Sequence, residues 1–551
     1  MTQRVRGADL LIRTLSSADV KELFTLSGNQ IMPVFDACID EGVNLIHVRH
    51  EAAAVHMADA YGRLTQSPGV ALVTAGPGFA NTLSALYVAY MAESPLVLLS
   101  GHAPRHQLGK GAFQEMNQAE MAGHVVKASW ASTESTNIGH DIARAFRIAV
   151  SGRPGPVHVS LPFDLLNESV TSFVRSIPQP EEFSPVVNLL DHDDALNALN
   201  LIASAKRPII ITGPTLARGR GREFAHSLSV SLTVPVIPME SPRGLNDPAL
   251  GQLSHKLREA DFVLSIGQPL NFALRFGDAP HFHPDCRFGI IDPEIRVIEQ
   301  ASRNLEDENR LVLAALADSS PAIERLVQVC ESNPPQLSEH RDEWTSLVNE
   351  AIAFRPDEWN TIQAESQNQI HPAQLCRTLQ AWLSEDAEET ILISDGGEFG
   401  QWVQACVTAD RRVINGPSGS IGSAIPFALA ARCVDADAKI VTCLGDGTMG
   451  FHIAEFETAI RHGLPFVAIV GNDACWNAER QIQLRNYGTD RLIGCDLLPT
   501  RYDEVVTALG GHGEFVQSAE ELKSAFQRAF ASGKPACINV TLEGQAAPTY
   551  E

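Results

Sequence analysis

The sequence predicts an α/β protein with three doubly wound parallel-sheet domains. Short apolar runs alternate with helical patterns in three separate segments, and this alternation favours parallel sheets covered by helices. Two stretches rich in Pro and acidic residues, Ile177–Pro185 and Cys330–Glu358, separate the segments. Within a segment a strand such as Lys439–Leu444 is short, apolar and β-branched, as expected for a strand buried on both faces. We therefore place the domains at residues 1–176, 190–330 and 360–551.

The elements follow from this pattern in chain order. In the first segment we expect strands and helices at Leu23–Leu26, Ile31–Glu41, Leu45–His47, Glu51–Arg63, Val70–Ala75, Phe79–Met91 and Leu96–Ser100. In the middle segment we expect strands at Pro208–Thr212, Val234–Pro238, Phe262–Ile266 and Phe288–Asp292. The third segment repeats the rhythm from Ile391, with Lys439–Leu444, the helix Ile453–His462 and the strand Phe466–Val470.

The charge, the cysteine spacing and the apolar runs of the sequence argue against several classes of protein. The 551 residues carry a formal net charge of −24, which opposes nonspecific binding to nucleic acids or anionic membranes. The ten cysteines include no Cys-x-x-Cys pair, so the pattern indicates neither a zinc site nor a disulfide framework. No apolar run reaches the roughly 18 residues that span a bilayer, and the first 15 residues lack a signal-like core. We expect a cytoplasmic enzyme with no nucleic-acid or membrane partner.

The most informative motif is the turn Gly445-Asp446-Gly447-Thr448, followed after a helix and a strand by Asn472. Both polar groups follow parallel strands, and open α/β sheets bind ligands at this carboxyl edge. Their carboxylate and amide oxygens suit Mg²⁺ or Ca²⁺, and Mg²⁺ commonly bridges protein and diphosphate. The triplet alone is also typical of an ordinary tight turn; the spacing to Asn472 favours the metal site.

This pattern resembles the metal and diphosphate motif of thiamin diphosphate-dependent enzymes. The family usually has Asn-Asn where this chain has Gly471-Asn472, and the retained second Asn is the ligand. The resemblance implies Asp446, Asn472 and the backbone carbonyl of Ala474 as Mg²⁺ ligands. It implies a pyrimidine-binding first domain, a central nucleotide-type domain and a diphosphate-binding third domain.

Two Gly-rich loops of the third segment extend this resemblance. Ser394–Gly400 offers backbone N–H groups suited to a diphosphate, and Ile421 resembles the residue that props the cofactor in its bent shape. The resemblance implies further contacts from the Asp446 motif and the loop after Asn472. Together the implied cofactor-binding residues are Gly28, Glu51, Gly396, Gly397, Glu398, Gly419, Ser420, Ile421, Gly445, Asp446, Gly447, Thr448, Asn472, Ala474, Cys475 and Trp476.

The first segment supplies the implied catalytic groups. Glu51 in the His-Glu-Ala-Ala run resembles the activating glutamate, which hydrogen-bonds the pyrimidine and promotes its imino tautomer; alone, it also suits a helix N-terminus. The segment Gly111–Glu115 resembles a loop of acetolactate synthases and 2-hydroxyacyl-CoA lyases. By that match Phe113 shapes the acyl pocket and Gln114 hydrogen-bonds the reacting group. Asn29, after Gly28, is a further pocket candidate.

The middle segment most resembles the corresponding segment of 2-hydroxyacyl-CoA lyases and oxalyl-CoA decarboxylases. The stretch Leu270–Gly277 carries this likeness, and Arg243 and Arg275 are candidate cations for CoA phosphates. Arg153 and Asp292 match positions that hold ADP or FAD in relatives. Gly213-Pro214 stands where CoA-binding relatives place a Lys, which argues against a nucleotide.

The resemblance implies cleavage of a 2-hydroxyacyl-CoA to formyl-CoA and an aldehyde or ketone, together with the reverse condensation. The cofactor's thiazolium accepts the electron pair that bond breaking releases. The alternative is an acetolactate synthase-like decarboxylase or carboligase acting on a 2-oxoacid such as pyruvate. A catalytically idle protein of the same fold is a third possibility, and a Rossmann dehydrogenase lacks its glycine motif. Because the family's site joins Glu51 of one chain to Asp446 of another, we expect a homodimer at least, and a homotetramer.

Overall fold

The computed structural model describes residues 5–170, 177–305, 307–337, 340–385 and 388–550. Residue 176, where the first domain was predicted to end, lies outside these ranges. The described residues form three sheets, and every pairing within them is parallel. The predicted fold class is therefore confirmed.

The first sheet has six strands in the order β2-β1-β3-β4-β6-β5. Its strands are β1 Glu22–Thr25, β2 Asn44–His47, β3 Gly69–Val73, β4 Leu96–His102, β5 Ala128–Ala131 and β6 Pro156–Pro162. Its helices are α1 Gly7–Ser17, α2 Met32–Glu41, α3 Glu51–Thr65, α4 Pro77–Ala80, α5 Leu83–Met91, α6 Gln118–Ala122, α7 Ile138–Val150 and α8 Phe163–Asn167. The central strands β3, β4 and β6 are buried along their whole length, as their continuous apolar pattern requires.

The second sheet has five strands in the order β11-β10-β9-β7-β8. Its strands are β7 Pro208–Thr212, β8 Val236–Pro238, β9 Phe262–Ile266, β10 Arg287–Asp292 and β11 Leu311–Leu316. Its helices are α9 His192–Ser204, α10 Gly219–Leu232, α11 Leu253–Leu257, α12 Ile295–Asn304, α13 Ser319–Ser332 and α14 Arg341–Ala353. Helix α14 occupies the middle of the second predicted linker.

The third sheet has six strands in the order β13-β12-β14-β15-β17-β16. Its strands are β12 Thr390–Ser394, β13 Arg411–Ile414, β14 Lys439–Gly445, β15 Val467–Asn472, β16 His512–Val516 and β17 Ala536–Thr541. Its helices are α15 Pro372–Leu383, α16 Gly397–Cys406, α17 Ala424–Val434, α18 Asp446–His452, α19 Glu455–His462, α20 Asn477–Tyr487, α21 Tyr502–Ala508 and α22 Ala519–Ala531. Counted along the chain, its strands follow the same order as those of the first sheet.

Three predicted elements differ from the structure. The expected helix Phe79–Met91 is two helices, because the Thr82 hydroxyl donates to the Phe79 carbonyl at 2.6 Å where the first ends. The expected strand Val234–Pro238 begins at Val236, since Pro235 has no N–H to donate. The expected helix Ile453–His462 begins at Glu455, because the separate helix α18 occupies the preceding turn. The sequence prediction also missed strands β5, β6 and β11.

The described residues divide into two compact units. One comprises the residues up to Pro185 together with Gln363–Gly400 and Thr408–Ala546, and the other comprises Val186–Ile362, Gln401–Val407 and the residues from Ala547. The first and third sheets belong to one unit, and the second sheet belongs to the other. Within the first unit, Arg63 of α3 joins the two sheets: its guanidinium lies 2.6 Å from Asp59 and donates to the Ile414 carbonyl at 2.6 Å. It also lies over the Phe427 ring of α17, 5.0 Å from the centroid. This buried pair fixes α3 beside the third sheet.

The doubly wound order places a crevice at each point where the chain reverses its direction across a sheet. In the first sheet this point lies between β1 and β3, and in the third sheet between β12 and β14. Gly28 follows β1, and the turn at Gly76 follows β3. Asp395 follows β12, and Gly445-Asp446 closes β14. Ligands of open α/β sheets bind at such positions, so the topology brings the sequence-predicted loops to two binding edges.

Among the described residues, no helix combines the length and the apolar character needed to cross a membrane. All ten cysteines are free thiols, and most are buried.

Candidate active site

Asp446 begins helix α18 at the binding edge of the third sheet and is 1% exposed. Its Oδ2 is buried and has no hydrogen-bond donor among the described residues. Gly445, just before it, leaves open space where a Cβ would stand. A buried carboxylate oxygen without a donor is costly unless a cation or proton neutralises it. The site therefore fits the predicted metal ligand.

Asn472 ends β15, the strand paired with β14, and is buried. Its Nδ2 donates to the Thr500 carbonyl at 2.9 Å and to Asn539 Oδ1 at 3.1 Å. This orientation turns Oδ1 toward the following loop, where it accepts from Ala474 N at 3.2 Å. Asn539 and Thr500 were not identified from the sequence; they fix which amide atom can bind a cation.

Ala474 adopts φ 53, a left-handed conformation that glycine adopts most readily. Its carbonyl already accepts from Leu497 N at 2.7 Å. A carbonyl oxygen has two lone pairs, so one remains for a metal. Non-Gly residues in this region are strained, and such strain is typical of functional sites.

Asp473 is an addition that the sequence analysis missed. Its carboxyl lies beside that of Asp446; burial, together with repulsion by the neighbouring carboxylate, raises its pKa. Burial likewise raises the pKa of Asp446. The Tyr502 hydroxyl donates to the Asp446 carbonyl at 2.9 Å and fixes the backbone. The local charge is thus suited to a divalent cation.

All these donors are oxygens, which is the ligand type of Mg²⁺ and Ca²⁺. Across the described ranges, no three His, Cys, Asp or Glu side chains form a metal-binding group. A site made from one aspartate, one amide and one backbone carbonyl is compatible with that finding. The predicted Mg²⁺ site remains a prediction, and its residues fit the ion.

The loops after β12 and β13 are joined by Asp395, which the sequence analysis did not single out. Its buried carboxylate accepts from Gly396 N at 2.7 Å, Gly422 N at 2.9 Å and Ala424 N at 3.2 Å. Burial raises its pKa to about 6 in spite of these bonds. Asp395 thus holds the predicted diphosphate loop and the predicted wedge loop together.

The wedge candidate Ile421 packs on the other loop, since a Cβ at Gly396 would lie 2.7 Å from its Cγ2. Asn415 Nδ2 donates to the Ser420 carbonyl at 2.9 Å, and Gly419 is exposed with φ 70. Gly397 begins α16, with φ 84 and no atom within 4 Å of a Cβ position. The N-terminus of α16 lies beside open space and therefore suits an anionic group. Glu398, in the first turn of α16, is buried.

Two aromatic rings cover glycines of these loops. A Cβ at Gly447 would lie 2.5 Å from the Trp476 ring, and one at Gly422 would lie 2.5 Å from the Phe451 ring. The two ring centroids are 6.4 Å apart. Phe451, which the sequence analysis missed, is 54% exposed. The glycines are required because any side chain would displace an aromatic ring.

Thr448 and Cys475 do not project toward open space. The Thr448 hydroxyl donates to the Gly445 carbonyl at 2.9 Å and stabilises the turn. Cys475 is buried, and burial raises the pKa of its thiol. Both side chains therefore shape the loops, and any diphosphate contact from them would come from the backbone.

Glu51 is the first residue of α3 and is 9% exposed. Its Oε2 accepts from Asn81 Nδ2 at 2.9 Å, and a Cβ at Gly78 would lie 3.4 Å from Oε1. The Gly76-Pro77-Gly78 turn thus lies directly against the glutamate. At the same end of α3, His50 lies 6.0 Å from His452, measured between ring centroids. The N-terminus of α3 therefore contacts the end of α18 opposite Asp446.

Gln114 adopts φ 58 and packs against Gly76. A Cβ placed on Gly76 would lie 2.9 Å from the Cβ of Gln114. Its loop is held by Glu115, whose carboxylate accepts from Gly109 N at 2.6 Å and Ala112 N at 3.0 Å. These bonds lower the Glu115 pKa. Phe113 is 73% exposed on the same loop. The structure thus brings Gln114 and Glu51 to one glycine turn.

Asn29 begins a short 3-10 turn after β1 and is exposed. Gly28 packs against Thr74, and the Thr74 hydroxyl donates to Gln30 Oε1 at 2.7 Å. The β1 and β3 loops therefore meet at the reversal point of the first sheet. Gly28 is needed for this contact, and Asn29 lies at its edge.

The four candidate nucleotide or CoA residues fall into two groups. Arg153 is paired with the buried Glu93, and Asp292 is buried and accepts from Glu294 N at 2.9 Å. Arg243 and Arg275 are exposed on two loops that touch, because a Cβ at Gly244 would lie 2.4 Å from the Ala273 carbonyl oxygen. Arg243 and Arg275 are thus exposed, whereas Arg153 and Asp292 are partly or fully buried.

The loops at the reversal point of the central sheet touch each other. A Cβ at Gly213 after β7 would lie 2.5 Å from the Gly267 carbonyl oxygen after β9. A bound ADP or FAD in the central domain stays a prediction.

Comparisons with known proteins agree with this arrangement. Residues 5–121 match the family described as thiamine pyrophosphate enzyme, N-terminal TPP binding domain, and residues 395–540 match its C-terminal TPP binding domain. A probable acetolactate synthase of Mycobacterium bovis is 30% identical over 99% of this chain and 97% of its own length. Human 2-hydroxyacyl-CoA lyase 1 is 28% identical over 99% and 96%, and Caenorhabditis elegans 2-hydroxyacyl-CoA lyase 2 is 28% identical over 97% and 89%. The chain belongs to the thiamine pyrophosphate (thiamin diphosphate) enzyme family.

Proposed function

We propose that this protein is a thiamin diphosphate- and Mg²⁺-dependent carbon–carbon lyase and carboligase. Its proposed reaction cleaves 2-hydroxyacyl-CoA to formyl-CoA and an aldehyde or ketone, and also runs in reverse. The observation that carries the proposal is the meeting of Glu51, Gln114 and the Gly76–Gly78 turn at the carboxyl edge of the first sheet. The matching edge of the third sheet supplies Asp446 and Asn472.

The cofactor supplies an electron sink for the broken carbon–carbon bond. Asp446, Asn472 and the Ala474 carbonyl would hold Mg²⁺, and the Gly396-Gly397 turn at the start of α16 would bind the diphosphate. Ile421 would hold the cofactor bent. Glu51, which is buried and accepts a hydrogen bond from Asn81, would hold or share a proton at the pyrimidine. Gln114 would donate a hydrogen bond to the substrate oxygen on which charge develops.

A shared site between two chains is part of the proposal. Phe113 and Phe451 are 73% and 54% exposed beside the two binding edges. Large aromatic side chains at such positions favour burial by a partner. In the proposed homodimer, and in a homotetramer of two such dimers, Glu51 of one chain would complete the Asp446 site of its partner.

The CoA part of the substrate is supported by Arg243 and Arg275, whose exposed guanidinium groups suit phosphates. The names of the lyase relatives support it as well. A second candidate is an acetolactate synthase-like enzyme acting on a 2-oxoacid, favoured by the 30% identical relative.

The deciding experiment is product analysis with thiamin diphosphate and Mg²⁺, supplying either a 2-hydroxyacyl-CoA or pyruvate. We expect formyl-CoA and an aldehyde from the first, and at least 100-fold loss of turnover in Glu51→Gln with unchanged cofactor affinity. Arg243→Gln/Arg275→Gln should raise the KM for acyl-CoA, whereas Arg303→Gln, on the exposed surface of α12, should not. Acetolactate from pyruvate without CoA cleavage would establish the second candidate.

A further inference from the structure

The geometry points to Gln118 as a positioning residue that holds Gln114 and Glu51 in register through the Gly76–Asn81 segment. This inference rests on the proposed roles of those two residues. Gln118 begins α6, directly after the loop that carries Phe113 and Gln114, and it is fully buried. Its side chain was not singled out from the sequence.

Both ends of the Gln118 amide are used. Its Oε1 accepts from Gly76 N at 2.8 Å. Its Nε2 lies 2.7 Å from Ser100 Oγ, 3.0 Å from the Gly101 carbonyl oxygen and 3.0 Å from Ser160 Oγ, and its two hydrogens are shared among these three acceptors. The amide thus connects the Gly76 turn to the ends of β4 and β6, the most buried strands of the first sheet.

On β4 and β6, the Gln118 amide contacts a buried polar network. His158 Nε2 lies 2.7 Å from Ser100 Oγ, and His158 Nδ1 lies 2.7 Å from Ser129 Oγ. Burial lowers the His158 pKa to about 3, so the ring stays neutral, with one donor nitrogen and one acceptor nitrogen. Both hydroxyls can then be satisfied. A fully satisfied buried network is rigid, which makes it a firm anchor for Gln118.

On its other side, the Gln118 amide contacts the glycine turn. Gly76 has φ 60 and ψ −115, which only glycine adopts readily, so its N–H direction depends on the bond to Gln118. The turn is held again at Phe79, whose ring centroid is 4.8 Å from that of His158. Gly76 and Phe79 are therefore tied to the same buried network.

The tied segment carries the contacts to both site residues. Gln114 packs on Gly76, and Glu51 packs on Gly78 and accepts from Asn81 at 2.9 Å. A shift of the turn would move the Gln114 backbone and the Glu51 carboxylate together. Positions of catalytic groups must hold to about half an ångström, so loss of the Gln118 bond should reduce turnover.

The test uses Gln118→Met, which keeps the side-chain length and removes every hydrogen bond of the Gln118 amide. Gln107→Met, on the exposed surface of the same region, is the matched control. Hydrogen exchange of residues 74–82 is measured on the cofactor-free protein, and kcat, KM, cofactor affinity and the pH profile of kcat are measured on the loaded enzyme. We expect exchange at least fivefold faster, kcat at least tenfold lower, and KM and cofactor affinity changed less than threefold.

Gln118→Glu keeps the acceptor for Gly76 N but turns a carboxylate toward the Gly101 carbonyl. It should lower kcat more at high pH, where it is charged, than at low pH, which a merely structural role would not produce. Wild-type kcat in Gln118→Met, or an exchange rate equal to that of the control, would overturn the inference. If the wild-type enzyme turned over none of the substrates, the proposed function would fail, and the exchange rate alone would still decide whether Gln118 holds the turn.

Discussion

At the scale of single residues, the environment of the Asp446 carboxylate suits a cation and lowers the stability of the metal-free protein. Its Oδ2 is buried without a donor, and the Asp473 carboxyl lies beside it. Two neighbouring carboxyl groups in a buried place repel each other unless a proton or a cation is shared. The same pair that destabilises the empty site would therefore favour Mg²⁺.

Asp446→Asn tests both effects, on the stability of the metal-free protein and on Mg²⁺-dependent cofactor binding. The new Nδ2 can donate to Asp473, so we expect the metal-free variant to be more stable by about 1 kcal/mol. Mg²⁺-dependent thiamin diphosphate affinity should fall at least tenfold, because the amide replaces the charged ligand. Calorimetric titration and thermal unfolding measure both effects, and Asp437→Asn on the exposed surface is the control. Unchanged Mg²⁺-dependent affinity would refute the metal assignment.

At the scale of elements, the cofactor edge of the third sheet depends on contacts between loops that are distant in sequence. Asp395 follows β12, and two of its three donors, Gly422 and Ala424, follow β13. Because Ile421 lies directly before Gly422, the Asp395 bonds fix the position of the wedge candidate against Gly396.

Asp395→Asn should disturb both loops, since its amide group faces backbone donors. We expect weaker cofactor binding and a loss of stability that depends on pH. The raised folded pKa, about 6 against 3.8, means that the wild type loses stability as pH rises from about 4 through 6. Residue 395 cannot titrate in the Asn variant. The difference in free energy of unfolding between wild type and variant should therefore narrow by up to about 3 kcal/mol as pH rises over that range. Urea unfolding at pH 4.5 and 7.5 measures it; a gap that widens with pH would contradict the argument.

At the scale of the whole molecule, the first and third sheets belong to one compact unit although Val186–Ile362 of the other unit lies between them in sequence. The buried Arg63 on α3 contributes to this, through Asp59 on its own helix and the Ile414 carbonyl of β13. Ile414 directly precedes the wedge loop, and Glu51 begins α3. The packing of α3 thus connects the glutamate to the cofactor domain of the same chain.

Arg63→Met would leave Asp59 buried and unpaired. We expect a loss of about 3–5 kcal/mol in the free energy of unfolding, because breaking a buried pair leaves an uncompensated charge. The double variant Asp59→Leu/Arg63→Met should recover most of it. Arg461→Gln, which removes a surface pair with Glu457, should cost about 0.5 kcal/mol or less. Equal losses for Arg63→Met and Arg461→Gln would show that the buried pair does not hold the unit together.

Strand–helix alternation alone predicted the parallel sheets, because a buried parallel strand must be apolar throughout. Strands β5, β6 and β11 were missed. Strand β5 is only partly buried and its pattern is weak, but β6 is buried along its whole length and β11 is apolar, so a weak pattern does not explain these two. Asp446, Asn472 and Glu51 could be identified because glycine turns and spacing mark them along the chain. Asp395, Asp473 and Gln118 could not, because their partners are remote or unmarked in sequence.

Motifs and patterns along the chain are sufficient to predict the family, the sheet type and the residues whose chemistry belongs to a local motif. The tertiary structure decided which loops meet, which amide atom of Asn472 faces the site, and which arginines remain exposed. The physical reason is that a motif records backbone conformation and side-chain chemistry within one turn. Burial and hydrogen-bond partners, in contrast, depend on packing between segments that the chain order does not reveal.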